Sequence, residues 1–274
     1  MDLLKLARGS TVIRLEFEPD VEKPVFVEGL PGIGHVGKLA AEAMIEDLGA
    51  EKFGELYSPY FPPQVSVNKD GIVEVMKNEF YVYESDSSDE PDIIFLVGKA
   101  QVQGELGQHE VAIKVLQTVK EFGTETIFTL GGLGTGTFPS EPKVVGAATH
   151  KEMIDLLKEH GVEIRTGDSG GNIVGASGLL LGFGKVMGMR GACLMGVTPG
   201  HLIDPRAAMA VVEKLSEILG VEVEAESLRK RAEKFEREVS QQLEEMPSME
   251  EMQQQVQQQE VEEGKPEEDL RYIG

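Results

Sequence analysis

Gly32, Gly34 and Gly37 stand in the spacing Gly-x-Gly-x-x-Gly, between an apolar run and a helix-like segment. Bare backbone at such a turn lets a pyrophosphate approach the N-terminus of the following helix. In a dinucleotide fingerprint the first glycine follows the strand almost directly, whereas here Glu28, Gly29, Leu30 and Pro31 intervene. The acidic residue that would hold a ribose about 20 residues further on is Glu55 at best. The same letters also describe a structural turn that brings helix and strand into close contact. A second run, Gly131-Gly-Leu-Gly-Thr-Gly136, could turn several backbone N–H groups toward an anion, although it lacks the Gly-Lys-Ser or Gly-Lys-Thr of a phosphate loop. Because both runs follow apolar segments, Gly32, Gly34, Gly37, Gly132 and Gly134 are candidates to line one anion or nucleotide crevice at the carboxyl ends of strands. A vestigial or unused crevice fits the letters equally.

Other reactive residue types give less. His109-Glu110 has no second histidine at metalloprotease spacing, and Ser177 lacks the glycine flanks of a nucleophile elbow. His201 with Asp204 is an ordinary helix-start pairing. Cys193, the lone cysteine, sits in the apolar run Ala192-Cys-Leu-Met195, which suits an inert core thiol in a reducing compartment and leaves no disulfide or zinc partner. No catalytic residue, cofactor or metal is therefore expected.

The elements that must position these groups follow a βαβ rhythm. Thr11 to Phe17 and Pro24 to Glu28 read as strands, and a helix follows with Val36, Leu39, Ala40, Ala43 and Met44 on one face. Gly54 to Tyr57 is a short strand. Val65 to Asn68, Ile72 to Met76 and Phe80 to Tyr83 are three β-type runs joined by Asp70-Gly71 and Lys77-Asn78, which predicts an antiparallel meander. Asp92 to Val97 is apolar without alternation, as in a strand covered on both faces. A helix from Gln108 to about Phe122 and a strand from Thr126 to Leu130 come next, then a strand at Lys143 to Thr149 and a helix at Lys151 to His160. The glycine-rich apolar segment Ile173 to Gly188 can be helical only where it packs closely. Gly191 to Val197 is a further buried strand, and Asp204-Pro205 caps and starts a helix that ends at Gly220. The expected fold is α/β: a mainly parallel sheet flanked by helices, an antiparallel β-meander and a C-terminal helical appendage. Residues 1–220 form the globular domain, 221–246 an amphipathic helix, and 247–274 an acidic, Gln-rich tail with a hydrophobic tip.

The chain carries 48 acidic and 26 basic residues, a net charge of −22, which argues against a nucleic-acid partner because phosphate binding relies on clustered Lys and Arg. Residues 244–274 hold 10 acidic and 2 basic side chains, so the tail contributes −8 and the body −14. The longest apolar stretch, Ile173 to Phe183, is too short for a bilayer, and the opening Met1-Asp-Leu-Leu-Lys-Leu does not read as a leader. A cytoplasmic protein without a membrane partner is expected. After the acidic linker the chain reaches Leu270-Arg-Tyr-Ile-Gly274, a hydrophobic tip on a tether, which suits a docking peptide.

The turn from Pro24 to Ile45 closely resembles the signature of the proteasome assembly chaperone family, in its archaeal homologues of the second-subunit type. Leu96-Val-Gly-Lys-Ala-Gln-Val-Gln103, Thr129-Leu-Gly-Gly-Leu-Gly-Thr135 and Gly171-Asn-Ile-Val-Gly-Ala-Ser-Gly-Leu-Leu-Leu181 fit the same pattern in the same order, so the resemblance spans roughly residues 24 to 200. It implies a phosphorylase-like α/β fold and a homo-oligomeric binding protein, a chaperone or activator, that presents C-terminal tails to the α subunits of the proteasome core particle. Members of this type use a terminal hydrophobic, tyrosine, any-residue motif whose carboxylate pairs with a lysine. Here Tyr272 is third from the end and follows Arg271, so the docking residues implied are Leu270, Tyr272, Ile273 and Gly274 in a shifted register. Two other classes remain open: a nucleotide-dependent ligase using the glycine crevice, and a scaffold subunit of another hetero-complex.

Overall fold

A computed structural model describes residues 3–166 and 171–245. In chain order the first half runs α1 (Leu3–Ala7), β1 (Val12–Leu15), β2 (Val25–Gly29), a 3-10 turn (Ile33–His35), α2 (Val36–Leu48), β3 (Glu51–Tyr57), β4 (Val65–Val67), β5 (Val73–Val75), β6 (Asn78–Tyr83) and β7 (Ile93–Gly98). The second half runs α3 (Glu105–Glu121), β8 (Thr126–Gly134), β9 (Val144–Ala148), α4 (Lys151–Glu159), β10 (Glu163–Ile164), α5 (Ala176–Val186), β11 (Arg190–Thr198), α6 (Pro205–Leu219) and α7 (Glu226–Glu245).

Nine strands make one sheet in the order β1-β3-β6-β7-β2-β8-β11-β9-β10. Its centre, β7-β2-β8-β11, is parallel, as the unalternating apolar runs predict. The flanks are mixed: β1, β3 and β6 pair antiparallel up to β7, and β9 runs antiparallel to β11 and parallel to β10. Successive residues of the central strands feed opposite layers, because side chains alternate across a strand. Val27, Phe95, Phe128 and Leu194 pack under α2, α4, α6 and the start of α7, whereas Phe26, Ile94 and Ile127 pack under α3 and α5. The result is an α/β/α sandwich with an apolar core on each side of the sheet.

The expected meander needs correction. β6 joins the main sheet between β3 and β7, while β4 and β5 form a separate two-stranded hairpin with Val65 opposite Val75 and Val67 opposite Val73. Lys99 donates from Nζ to Ser66 Oγ (3.0 Å) and Glu74 Oε2 (3.1 Å), tying the polar side of the hairpin to the domain. Its four valines are left exposed. The core also continues past Gly220, the expected end of the domain: Val221, Ala225, Leu228 and Ala232 are buried in the layer of α2 and α6. By its internal contacts the chain divides into units Met1–Glu233 and Lys234–Gly274.

Candidate functional site

The glycine turn is built by contact with its own domain. A Cβ on Gly29 would lie 2.3 Å from Ala41 Cβ and 2.6 Å from the Gly37 carbonyl oxygen, and one on Gly37 would lie 2.1 Å from the carbonyl oxygen of Leu130. The first turn of α2 therefore rests directly on β2 and β8. Gly34 adopts φ +62° with Thr198 packed over it, and its carbonyl accepts from the Asp204 backbone N–H (2.9 Å). Gly32 has open space around it. Of the three fingerprint positions, Gly34 and Gly37 are thus occupied by chain packing, the role that a structural turn assigns them.

Gly131 to Gly134 differ from the anion loop anticipated for them. They continue β8, in parallel register with Met195 to Thr198 of β11. On the β11 side their backbone is committed to the sheet, whereas the pairing of β8 with β2 stops at Thr129. Glycine is needed for close approach at Gly132, where a Cβ would meet the Ile33 carbonyl oxygen at 2.3 Å; at Gly134 a Cβ would make only ordinary contact with the Ile33 side chain, at 3.5 Å. The two glycine segments do converge at the carboxyl ends of β2 and β8, as the sequence suggests. Glu55, by contrast, lies on β3, separated from β2 by β6 and β7, where it accepts from Lys77 Nζ, Lys52 Nζ (3.0 Å) and Tyr57 OH (2.7 Å). Burial alone would raise its carboxyl, but these donors together outweigh that effect and hold it down near 2, and they leave no ribose-binding role open to it.

Beside the converging glycines opens a crevice of about 430 Å³, bounded by Leu30, Gly32, Gly132, Asn172, Ser177 and Cys193 among others. It opens past the carboxyl end of β2, over Leu130 to Leu133 of β8 and Cys193 and Met195 of β11, beside the usual ligand position of an open α/β sheet. Gln101 braces one wall, donating from Nε2 to the Pro31 carbonyl (2.8 Å) and accepting the Ala176 N–H at Oε1 (3.1 Å). Among the described residues that line it, Arg165 is the cation, and these residues do not offer the clustered Lys and Arg that a polyphosphate draws on.

Behind that wall lies a polar group that no motif marks. Glu28 is fully buried in β2, accepting the Leu30 N–H at Oε1 (2.9 Å) and the Ser177 hydroxyl at Oε2 (2.8 Å). Burial pushes its carboxyl up from 4.5 to about 7, and the two hydrogen bonds offset part of that rise. In register across the sheet, Glu28 faces Thr129, and Thr129 faces Cys193. The Thr129 hydroxyl is buried beside the Cys193 thiol, and burial pushes that thiol up to about 12, an effect that its hydrogen bond with Thr129 offsets in part. The signal available in the sequence is a single acid inside the apolar run Val25-Phe-Val-Glu-Gly29.

The other candidate residues have local roles. His109 donates from Nδ1 to the Glu105 carbonyl (2.8 Å) and meets the ring of Phe183 edge-on at 5.6 Å. Asp204 caps α6, its Oδ1 accepting the Ala207 N–H (2.9 Å) with Pro205 in the first turn, as the sequence predicts. Leu270, Tyr272, Ile273 and Gly274 lie outside the described residues. Among the described residues no group of three His, Cys, Asp or Glu is placed to hold a metal, and no helix is long and apolar enough to cross a membrane.

A model of the PAC2 family matches residues 26–243. An uncharacterized protein of Methanocaldococcus jannaschii is 44% identical over 261 residues, covering 94% of this chain and 95% of that one. Among solved structures, Pyrococcus furiosus PbaB, described as an archaeal proteasome activator, is 45% identical with a TM-score of 0.81, covering 86% of this chain and 100% of that chain. Pyrococcus furiosus PbaA, described as an archaeal homologue of proteasome-assembly chaperone, is 30% identical with a TM-score of 0.69, covering 92% of this chain and 99% of that chain.

Proposed function

The chain belongs to the PAC2 family, and from that premise we propose that it is a binding protein of the proteasome, an assembly chaperone or activator, and not an enzyme. In this reading it is a cytoplasmic homo-oligomer with a phosphorylase-like fold, and its C-terminal tails engage the α subunits of the core particle. The observation that carries the reading is the likeness to PbaB, at 45% identity over the whole of that chain. The segment supports it in chemical terms: an acidic stretch followed by Leu270, Tyr272 and Ile273 offers an apolar and aromatic docking group. Several such tips on one assembly bind with an avidity that a single weak tip lacks, provided their spacing matches the pockets.

No bond is made or broken in this mechanism. Geometry at the glycine turn favours it over the ligase class, because a Cβ at Gly37 or Gly132 would collide with the chain's own backbone and one at Gly34 would press on Thr198. Binding to archaeal core particles is to be compared between the full-length protein and a variant ending at Asp269, with the mass of the assembly measured for both. Loss of binding with the assembly intact is the expected result. Equal binding by both would remove the tail from the mechanism, and no binding by either would overturn the proposal.

A further inference from the structure

We propose that the crevice beside the glycine turn is a binding site for an uncharged, planar cyclic amide, a flat ring carrying N–H next to C=O, with Ser177 accepting the N–H. The proposal stands apart from core-particle binding, which leaves this crevice without a role.

At about 430 Å³ the crevice has the size of a small-molecule site. Four lining residues, Gly32, Gly131, Gly132 and Gly175, leave bare backbone on which a flat ring can lie. From β11 the sulfur-bearing side chains of Cys193 and Met195 reach the same space, a polarizable surface that suits an aromatic ring. Charge selects an uncharged guest. Among the described residues that line the crevice no carboxylate accompanies Arg165, which disfavours a cation, and the buried Glu28 carboxyl behind Ser177 disfavours an anion.

The polar edge of the guest follows from Glu28. A fully buried acid in a central strand is costly, and this one is spent on the Leu30 N–H and on the hydroxyl of Ser177, a residue that lines the crevice. A serine hydroxyl has one hydrogen and two lone pairs. With that hydrogen donated to Glu28 Oε2 at 2.8 Å, Ser177 has only lone pairs to offer, so the guest must bring a donor. Gln108 and Asn172 line the same crevice, and their side-chain amides supply N–H groups for a neighbouring carbonyl. Glu28 is thus a positioning residue, set behind the wall to fix which way the Ser177 hydroxyl points.

Ligand-observed NMR titration of the full-length protein tests this with two neutral isosteres: carbostyril, a bicyclic lactam, and coumarin, in which a ring oxygen replaces the N–H. The titrations are run at pH 8, above the value of about 7 that burial gives the Glu28 carboxyl. Carbostyril should bind with a Kd of about 1 mM or below, and about tenfold more tightly than coumarin, whose ring oxygen opposes the Ser177 lone pairs. Glu28→Gln turns the hydroxyl around: its amide nitrogen donates to Ser177 Oγ and the serine hydrogen is released toward the crevice. The preference should then fall to about unity or reverse, a change that a merely structural role does not produce. Gly131→Leu should abolish binding of both compounds, because a Cβ there has room, with Met195 Cγ at 3.9 Å its nearest contact, and the longer side chain takes the space of the guest. Thermal melting checks that each variant folds, and E28Q keeps the test decisive where G131L does not fold. Absence of binding by both compounds to wild type, equal binding of the two, a preference unchanged in folded E28Q, or binding kept in folded G131L would each overturn the proposal.

Discussion

Glutamine in place of Glu28 should flatten the pH dependence of stability between pH 5 and 8. The wild-type carboxyl titrates near 4.5 when unfolded and at about 7 when folded, because burial disfavours its charge. The folded state therefore holds a proton that the unfolded state has released. The stability contributed by that proton is complete below about pH 4.5 and is lost as pH rises through 7. For this pair of values the loss between pH 5 and pH 8 is about 2.5 kcal/mol, at 1.36 kcal/mol per unit with partial titration at each end. The substituted amide keeps both hydrogen bonds, its oxygen accepting from the Leu30 N–H and its nitrogen donating to the Ser177 hydroxyl oxygen. E28Q should accordingly lie within about 1 kcal/mol of wild type at pH 5 and exceed it by about 2 to 3 kcal/mol at pH 8. Urea unfolding at four pH values reads this directly, and the difference between the two proteins cancels every other titrating group. Parallel curves would refute the argument, since they would mean that Glu28 folds into an environment no less polar than water.

Gly37→Ala should destabilise by about 1 to 3 kcal/mol or more, because its Cβ would fall 2.1 Å from Leu130 O, whereas Gly182→Ala, with nothing within 4 Å, should stabilise α5 by up to about 1 kcal/mol; thermal melts of both separate packing from propensity. The Glu55 carboxyl, held near 2 against its burial by Lys77, Tyr57 and Lys52, contributes stability that is present above about pH 4.5 and lost as pH falls toward 2, so E55Q should lose that acid limb in a stability titration. Cys193, buried with its thiol pushed to about 12, should resist a thiol-reactive dye at pH 8 until the protein is denatured, and prompt labelling of native protein would contradict its placement.

Much of the sandwich is legible because its strands are covered on both faces. Asp92 to Val97 and Gly191 to Val197 announce themselves by continuous apolar character, and both belong to central strands. The start of α6 can be read at Asp204-Pro205, where a cap and a fixed φ leave little choice. Legibility fails where glycine replaces a side chain. Gly131 to Gly134 carry no periodicity, so their letters suggest a loop, whereas pairing with Met195 to Thr198 extends β8 through them. Length and order of the flanking strands are also hidden: Glu51 and Lys52 begin β3 although they are charged, and nothing local tells that β6 leaves its hairpin neighbours for β3 and β7. At the site, the convergence of Gly32 with Gly132 follows from strand ends, but Glu28 stays hidden because a lone acid in an apolar run gives no spacing to read.

The position of β2 has a consequence for how the chain is made. Val25 pairs with Ile93 on one side and Thr126 on the other, so the two neighbours of this central strand arrive 68 and 101 residues later. At a synthesis rate of about 5 to 20 residues per second, β2 waits roughly 5 to 20 s for its second partner. Throughout that interval Val25-Phe-Val is an apolar edge without its full set of neighbours, of the kind that templates aggregation. The nascent chain must therefore survive a window set by the ribosome and not by its own folding rate, with the acidic residues already synthesised keeping neighbouring chains apart.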